Sequence, residues 1–274
     1  ESVLRGLARQ PAQIGRGARR LLEMAASPLQ TGRRLIDDIA SVGHILSPPP
    51  SPNSPLLSAR SSRYRFDALT VPLSELKSAA AGAGCKLNDA FLASVAGGWR
   101  RYHEHHGASV ESLRIVIPIN LRSNGREMVA GNRIMLARFP LPVSERDPVR
   151  RMNRIRSLVA NEREQPALAY VDSVTSVLSY VPVELLTAIF SGLTRKLDCM
   201  ASCVPGLPAA LYIAGAKVES LYAFGPPGGS AANITLLSYM DQADITINSD
   251  PAAVPDHGRL LGCMRRGFEE VAAG

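Results

Sequence analysis

The stretch LRIVIPINL, residues 113–121, is an apolar run of the length of one β-strand. Runs of this kind are typical of strands that are buried on both faces of a sheet. Before this stretch, apolar side chains recur on one face of a predicted helix that begins at Asn88 and ends at Gly107. They are Phe91, Leu92, Val95, Trp99 and Tyr102. A buried strand beside an amphipathic helix predicts an α/β domain, in which helices cover a mixed sheet.

The rest of the chain alternates strand and helix patterns in the same way. Asp147 and Pro148 predict an N-cap and the first turn of a helix whose outer face carries Arg150, Arg151, Arg154 and Arg156. Gly97 and Gly98 lie inside the Asn88 helix, where each costs about 1 kcal/mol relative to alanine, and they predict the close approach of another backbone. Further strands are predicted at 63–71, 133–143, 211–224, 233–240 and 244–250, the last two as a hairpin, and further helices at 72–84, 170–197 and from about Asp256.

The N-terminal part of the chain has a different composition. Residues 1–46 contain seven arginines and four acidic residues among leucines and isoleucines at helical spacing. Such basic helices either lie on a membrane surface or pack against another domain. Five prolines in SPPPSPNSP, residues 47–55, predict an extended connector. We therefore predict a basic helical linker over 1–58 and a separate domain over 59–274.

Charge and aromatic content limit the classes of partner. The formal net charge is +7, which fits nucleic acid, an anionic membrane, phosphorylated ligands or simply a basic surface. Only 5% of the residues are aromatic, and no nucleic-acid-binding motif is present, so no nucleic-acid partner is expected. No apolar run reaches the ~20 residues of a membrane-spanning helix.

The cysteines and glycine-rich segments indicate no cofactor site. Cys85, Cys199, Cys203 and Cys263 form no C-x-x-C pair, so we expect buried thiols in a reducing compartment and no metal site. FGPPGGS, residues 224–230, is interpreted as a turn, and no phosphate-binding or dinucleotide-binding fingerprint occurs.

Six segments in order resemble one protein family. LNDAFLASVAGGWRRY is similar to the N-D-x-x-L-A segment of bacterial wax ester synthase/diacylglycerol acyltransferases, with Asn88 and Asp89 at its start. The second match is the predicted strand that ends in Leu121 and Arg122. The third match is the pair Gly131 and Asn132 after it. The remaining matches are LPVSERDPVRRMNRIR, SCVPGLPAALYIAGAKVESLYAF and ITLLSYMDQADITINSD with the VPD after it. The resemblance covers about residues 60–272, with Cys203 and Leu207 departing from the family pattern.

The resemblance implies that this chain folds as one half of a chloramphenicol acetyltransferase-like enzyme, with a mixed β-sheet and flanking helices. The family has two similar α/β domains, and the first carries the catalytic H-H-x-x-x-D-G motif. In this chain His105 and His106 are followed by Val110 and Glu111 at the aspartate and glycine positions, so the motif fails and no catalytic residue is assigned. The chain instead resembles the interdomain linker and the second domain, and its start at Glu1 predicts a cleaved, truncated or split enzyme.

The histidine cluster has its own structural interpretation. His103, His105 and His106 fall in the last turn of the predicted helix, where histidines interact with free carbonyl groups and with the negative end of the helix dipole. We prefer this role to general-base or metal-ligand roles.

The implied site residues each have a second interpretation. Asn88 and Asp89 either belong to the substrate site or simply start a helix, with asparagine as its N-cap. Arg122 either meets a CoA phosphate or makes an ordinary salt bridge. Asn132 is part of the motif without an assigned role. Ser238 either faces a substrate tunnel or makes core or turn hydrogen bonds.

The implied activity is transfer of an acyl group from acyl-CoA to diacylglycerol or a fatty alcohol. Acyl-CoA is a substrate, and no bound cofactor is expected. The expected partner is the domain with the H-H-x-x-x-D-G motif, and the expected location is the cytoplasm, with possible contact at the inner membrane surface or lipid droplets. The alternative is a non-catalytic lipid-binding or scaffold domain of the same fold.

Overall fold

The computed structural model describes residues 54–120, 134–164 and 197–274. Strands and helices alternate as the sequence predicts, and most predicted boundaries are right within two residues. In chain order the elements are β1 Arg65–Pro72, α1 Leu73–Gly82, α2 Leu87–His105, β2 Ser112–Asn120, β3 Ile134–Pro142, α3 Pro148–Glu164, β4 Cys199–Val204, β5 Tyr212–Ile213, β6 Ala216–Lys217, β7 Ala232–Tyr239, β8 Gln242–Ser249 and α4 His257–Ala273.

Six of the strands form one mixed sheet in the order β1-β8-β7-β4-β2-β3. The pairs β2–β4 and β4–β7 are parallel, and the other pairs are antiparallel. Side chains alternate between the two faces of each strand. One face is apolar, through residues such as Ile115, Ile234 and Ile245, and shares a single core with the helices.

The helices α2 and α4 cross at glycines. A Cβ added at Gly98 would lie 3.0 Å from the Cα of Met264, and one added at Gly267 would overlap the carbonyl oxygen of Ser94. The predicted close approach of another backbone is therefore confirmed at Gly98. At Gly97 the space is taken instead by the side chains of Arg151 and Glu270.

Helix α3 begins as predicted, but one of its arginines does not lie on the outer face. The Asp147 carboxylate accepts hydrogen bonds from the Val149 and Arg150 amides, which confirms the N-cap. Arg151 was predicted to be exposed and is fully buried. Its guanidinium donates to the carbonyl oxygen of Ala93 at 2.9 Å and to the Glu270 carboxylate at 2.8 Å, and these partners compensate the burial of the charge.

The second face of the sheet is polar on β7 and β8. Its side chains hold residues 218–227 as an extended strap across the sheet. Asp244 accepts a hydrogen bond from the Leu221 amide at 2.9 Å, and the Asn248 amide group donates to the carbonyl oxygen of Gly225 at 3.0 Å. The strap therefore satisfies polar groups that would otherwise be buried without partners.

This strap corrects the predicted strand at 211–224. Within that range only β5 and β6 are strands, and they form a separate two-stranded hairpin. An extended chain that lies on a sheet face also alternates inward and outward side chains, which explains the misleading pattern: Tyr222 and Phe224 are exposed, whereas Leu221 and Ala223 are half-buried.

The sequence did not reveal β4, which lies between β2 and β7 in the sheet. Its six residues, CMASCV, are mostly small and lack β-branched side chains except the last. The hairpin of β7 and β8 and the turn at Gly228 and Gly229 were predicted correctly.

Several predictions lie outside the described residues. They are the basic helices within 1–46, most of the proline-rich connector, the helices at 170–196, and the site candidates Arg122 and Asn132. The division into 1–58 and 59–274 stays a prediction. In the described part, Leu57 is 1% exposed and already belongs to the core of the domain.

Candidate functional site

The Asn88–Asp89 pair lies at the start of α2. The helix begins at Leu87 with Lys86 as its N-cap residue, so the predicted N-cap role of Asn88 is wrong. Asp89 is buried at the third helical position, and its carboxylate accepts the Lys86 backbone N–H at 2.9 Å. A carboxylate there satisfies one of the free amides at the start of the helix. Asp89 therefore has the structural task, and the half-buried Asn88 does not share it.

Ser238 lies on β7 and is half-buried. Its hydroxyl oxygen accepts the Gly206 amide at 3.0 Å, and a Cβ at Gly206 would overlap the carbonyl oxygen of Ser238. The structure therefore brings together two segments that the sequence analysis had matched separately, VPG and ITLLSYM. Turn hydrogen bonding is the role that this geometry shows for Ser238, and no described contact joins it to Asn88 or Asp89.

The loop after Gly206 presents an apolar surface to solvent. Leu207, Tyr212 and Ile213 are 48%, 65% and 69% exposed. The base of the hairpin is fixed by the Tyr239 hydroxyl, which accepts the Leu211 amide and donates to the carbonyl oxygen of Val218, both at 2.9 Å. Large exposed apolar side chains on a fixed support are typical of a surface that contacts another protein or a lipid.

A second exposed aromatic group lies on the strap. The rings of Phe224 on the strap and Phe66 on β1 meet edge to face with centroids 5.2 Å apart. Tyr222, two residues before Phe224, is also exposed. The Tyr222 hydroxyl lies 3.2 Å from that of Thr70, which donates to Asp244 at 2.7 Å. Apolar surface is thus exposed on the strap as well as on the hairpin.

The structure separates the three clustered histidines. His103 is 1% exposed, with Nε2 2.7 Å from the Ser54 hydroxyl and Nδ1 2.8 Å from the carbonyl oxygen of Trp99. His106 lies 3.1 Å from the Asp256 carboxylate and meets the ring of Tyr102 edge to face, and His105 is exposed. The ring of His103 therefore has a structural role, but its partners are Ser54 and the carbonyl oxygen of Trp99 and not the free carbonyl groups at the end of the helix that we predicted.

The Ser54–His103 pair has the spacing of a nucleophile and its base. Both residues are 1% exposed, however, and Nδ1 of the histidine faces a backbone carbonyl. Asp198 contacts the Ser54 backbone amide at 3.0 Å and does not contact the imidazole. Burial lowers the pKa of His103, the bond to Trp99 opposes this, and nearby His106 adds to the lowering. Because both side chains are almost fully shielded from solvent, we interpret the pair as a buried structural contact.

The four cysteines are free thiols, of which Cys199 and Cys263 are buried while Cys85 and Cys203 are half-buried. Burial raises the pKa of Cys203 to about 11. Over residues 54–120, 134–164 and 197–274, no group of three potential metal ligands comes together. In the same ranges, no helix has both the length and the apolarity needed to cross a membrane.

Comparison with known proteins identifies the family. Residues 130–272 match the model of the WS/DGAT C-terminal domain. A Mycobacterium tuberculosis protein named as a diacylglycerol O-acyltransferase is 34% identical over an alignment of 281 residues, gaps included, that covers 98% of this chain. The chain belongs to the wax ester synthase/diacylglycerol acyltransferase family. It spans 56% of that relative's length.

Solved structures show the fold of this family member. The wax ester synthase/diacylglycerol acyltransferase of Marinobacter aquaeolei VT8 superposes with a TM-score of 0.59 at 21% identity, over 86% of this chain and 55% of that one. The condensation domain studied in the enacyloxin polyketide synthase gives a TM-score of 0.53 at 12% identity, over 81% and 44%. The predicted acyltransferase-like α/β fold is confirmed.

Two features of the site region had no signal in the sequence that we could detect. The contact between Ser54 and His103 joins positions 49 residues apart, and the strap over the sheet depends on side chains of β7 and β8.

Proposed function

We propose that this chain is the C-terminal half of an acyl-CoA-dependent O-acyltransferase, which forms triacylglycerol from diacylglycerol or wax esters from fatty alcohols. The chain would supply walls of the substrate tunnel and part of the CoA and acyl site. The observation that carries the proposal is that the chain matches a diacylglycerol O-acyltransferase over 98% of its own length but only 56% of the relative's. The remaining length is enough for a second domain of similar size.

The proposed chemistry needs a general base, which we assign to the other half. A histidine of the H-H-x-x-x-D-G domain would take the proton from the acceptor hydroxyl, whose oxygen attacks the thioester carbonyl. The carbon–sulfur bond then breaks, and the histidine returns the proton to the thiolate, so the products are the ester and free CoA. In this chain His103 is buried, which supports a base from the other half.

The exposed hairpin supports a contact with the other half. Tyr212 and Ile213 are held outward by hydrogen bonds at the base of the hairpin, although leaving such side chains in water forgoes about 1.5–3 kcal/mol each. We infer that the hairpin packs against the other domain. Asn88, Arg122 and Asn132 remain candidates for the substrate site in this proposal, and Arg122 is the candidate for a CoA phosphate.

The acceptors have consequences for location. Diacylglycerol and fatty alcohols reside in lipid phases, so the complete enzyme would work at a membrane surface or a lipid droplet. Flotation of the two-domain protein with anionic and neutral vesicles tests this location separately from catalysis. Binding to neither vesicle would argue against it.

The test of the function is acyl transfer from labelled long-chain acyl-CoA to diacylglycerol and, separately, to a fatty alcohol. The chain is assayed alone, with the purified H-H-x-x-x-D-G domain of a relative, and beside that relative's intact two-domain enzyme. We expect product only from the mixture and from the intact enzyme. Product from the chain alone would overturn the need for a second half, and a mixture that forms a stable complex without product would favour a binding domain.

Matched variants test the hairpin. Tyr212→Ser and Ile213→Ser are expected to weaken association with the other half by at least about tenfold, since each removes exposed apolar area from the proposed contact. Val149→Ser, at an exposed apolar position on α3, is the control and should leave association unchanged. Equal effects of all three would remove the hairpin from the interface.

A further inference from the structure

A buried hydrogen-bond network fixes the end of the proline-rich connector and the first residues after it. The Ser54 amide donates to Asp198 at 3.0 Å, and the Ser54 hydroxyl lies 2.7 Å from Nε2 of His103. The Leu56 amide donates to the Ser54 hydroxyl oxygen at 3.2 Å. Ser54, His103 and Asp198 are each 1% exposed, so none of these contacts exchanges freely with water.

The geometry determines which ring nitrogen of the neutral imidazole carries the hydrogen. Nδ1 of His103 lies 2.8 Å from the carbonyl oxygen of Trp99, and a carbonyl oxygen only accepts, so Nδ1 carries the hydrogen. In the neutral ring Nε2 then has a lone pair and accepts from the Ser54 hydroxyl. That hydroxyl therefore donates to His103 while its oxygen accepts from Leu56.

A second proton on His103 would disrupt this arrangement. The new N–H at Nε2 would donate to the Ser54 oxygen, which already accepts the Leu56 amide, so the hydroxyl hydrogen would lose its own acceptor. A buried hydroxyl without a partner costs free energy, and so does a buried imidazolium. Because burial already lowers the pKa of His103, the neutral form predominates in the folded domain near neutral pH.

Among residues 54–120, 134–164 and 197–274, no carboxylate is in direct contact with the imidazole of His103. On its own helix the imidazole has His106, Arg100 and Glu104 as neighbours. Arg146, in the loop before α3, lines the surface depression next to His103. Asp198 and Arg114 lie beyond Ser54, and the carboxylate of Asp198 is already occupied by the backbone amides of Ser54 and Arg114.

We propose that the Ser54–His103 contact is a pH-sensitive clasp, which fixes the turn at Ser54–Leu56 while His103 is neutral and opens that turn when His103 takes up a proton. The neighbouring anchors would remain closed, because Leu57 is in the core and the Ser61 amide donates to Asp250. The clasp thus controls the conformation of the turn at Ser54–Leu56. This inference does not depend on the proposed acyltransferase activity.

The direction of the effect follows from the histidine. Its folded-state pKa lies below the ordinary value of about 6.5, so the closed turn is fully favoured above that value. As pH falls below that value, the ratio of closed to open turn decreases by up to about tenfold per pH unit, and it levels off once pH has fallen through the folded-state pKa.

The experiment is NMR of the whole chain in a pH titration. Imidazole nitrogen shifts report the tautomer and titration of His103, and amide exchange, corrected for its intrinsic pH dependence, gives protection factors for Leu56 and Ser61. We expect the Nδ1–H tautomer near neutral pH and a loss of Leu56 protection that follows His103 titration. Ser61 protection should not change.

Two variants complete the test. Ser54→Ala is expected to show low Leu56 protection at every pH, and His105→Gln, which alters an exposed histidine of the same turn, should behave as the unmodified chain. The clasp is excluded if His103 titrates without a change at Leu56, if the neutral ring carries its hydrogen on Nε2, or if Ser54→Ala keeps full protection. It is also excluded if His103 stays neutral until the domain unfolds.

Discussion

Gly267 on α4 lies directly against the carbonyl oxygen of Ser94 on α2. A Cβ at Gly267 would overlap that oxygen and approach the amide of Gly98, so the two helices can cross only at this spacing. Both helices belong to the core that covers the apolar face of the sheet. The position of α2, and with it that of Asn88, therefore depends on a glycine in the last helix of the chain.

We expect Gly267→Ala to lower the free energy of unfolding by about 1–3 kcal/mol, because the helices must separate to admit a methyl group. Gly262→Ala on the same helix is the matched control. The nearest atom to its new Cβ is the Arg266 guanidinium at 4.0 Å, so it should gain about 0.5–1 kcal/mol from better helix propensity. Urea unfolding followed by circular dichroism measures both, and a stabilised Gly267→Ala variant would contradict the packing account.

A second prediction concerns the buried arginine of α3. Arg151→Met should cost at least about 2 kcal/mol, because the Ala93 and Glu145 carbonyl oxygens lose their donor and each buried unsatisfied group costs about 1–3 kcal/mol. The neighbouring Arg150→Met is the control, since that side chain is 76% exposed and should change stability by less than about 0.5 kcal/mol. Thermal unfolding of the two variants in parallel decides the matter, and similar melting temperatures would refute a structural role specific to Arg151.

The decrease in the free energy of unfolding at acid pH should depend on Glu270. Burial alone would raise the pKa of this carboxyl group, but its hydrogen bonds with Arg101 and Arg151 and their positive charges outweigh burial, and the net pKa is lowered. A lowered carboxyl pKa stabilises the folded state above the ordinary value of about 4.3 and ceases to do so as pH falls through the folded-state value. Glu270→Gln should therefore cost stability near neutral pH, and its stability curve should converge with that of the unmodified chain in acid.

Urea midpoints measured across that pH range test the prediction. Glu269→Gln changes an exposed carboxylate on the same helix and is the control for the loss of one negative charge. A constant difference between Glu270→Gln and the unmodified chain at all pH values would show that protonation of Glu270 is not the cause.

The sequence predicted the elements that have strong periodicity and missed those whose partners are distant in the chain. The apolar faces of α2 and α4 and the hairpin of β7 and β8 follow from local spacing, and the structure confirms them. The strap was mistaken for a strand because its side chains alternate as in a strand. Its backbone, however, is bound by the side chains of Asp244 and Asn248, which lie later in the chain. Likewise Arg151 has the side-chain chemistry of an exposed residue, and only the meeting of three helices explains its burial.

The candidate site was predicted less completely, for a related reason. Motif spacing placed Asn88 and Asp89 at a helix start, but a shift of two residues in the N-cap exchanges the roles of neighbouring polar side chains. Ser238 was placed correctly on a strand, while its contact with Gly206 depends on the sheet order, which local spacing does not determine.

The last prediction separates the two members of the Asn88–Asp89 pair. Asp89→Ala removes the acceptor of the Lys86 amide and should lower the free energy of unfolding by about 1 kcal/mol. Among the described residues the Asn88 side chain has no hydrogen-bond partner, so Asn88→Ala should change stability by less than about 0.5 kcal/mol. We expect Asn88→Ala nevertheless to reduce acyl transfer in the reconstituted two-half enzyme, since its amide group is free to bind substrate or the other half. The activity and the unfolding curve of Asn88→Ala are measured on the same preparation. Full activity would contradict a role of Asn88 in the substrate site, and the helix-capping contact of Asp89 would then be the only function of the motif.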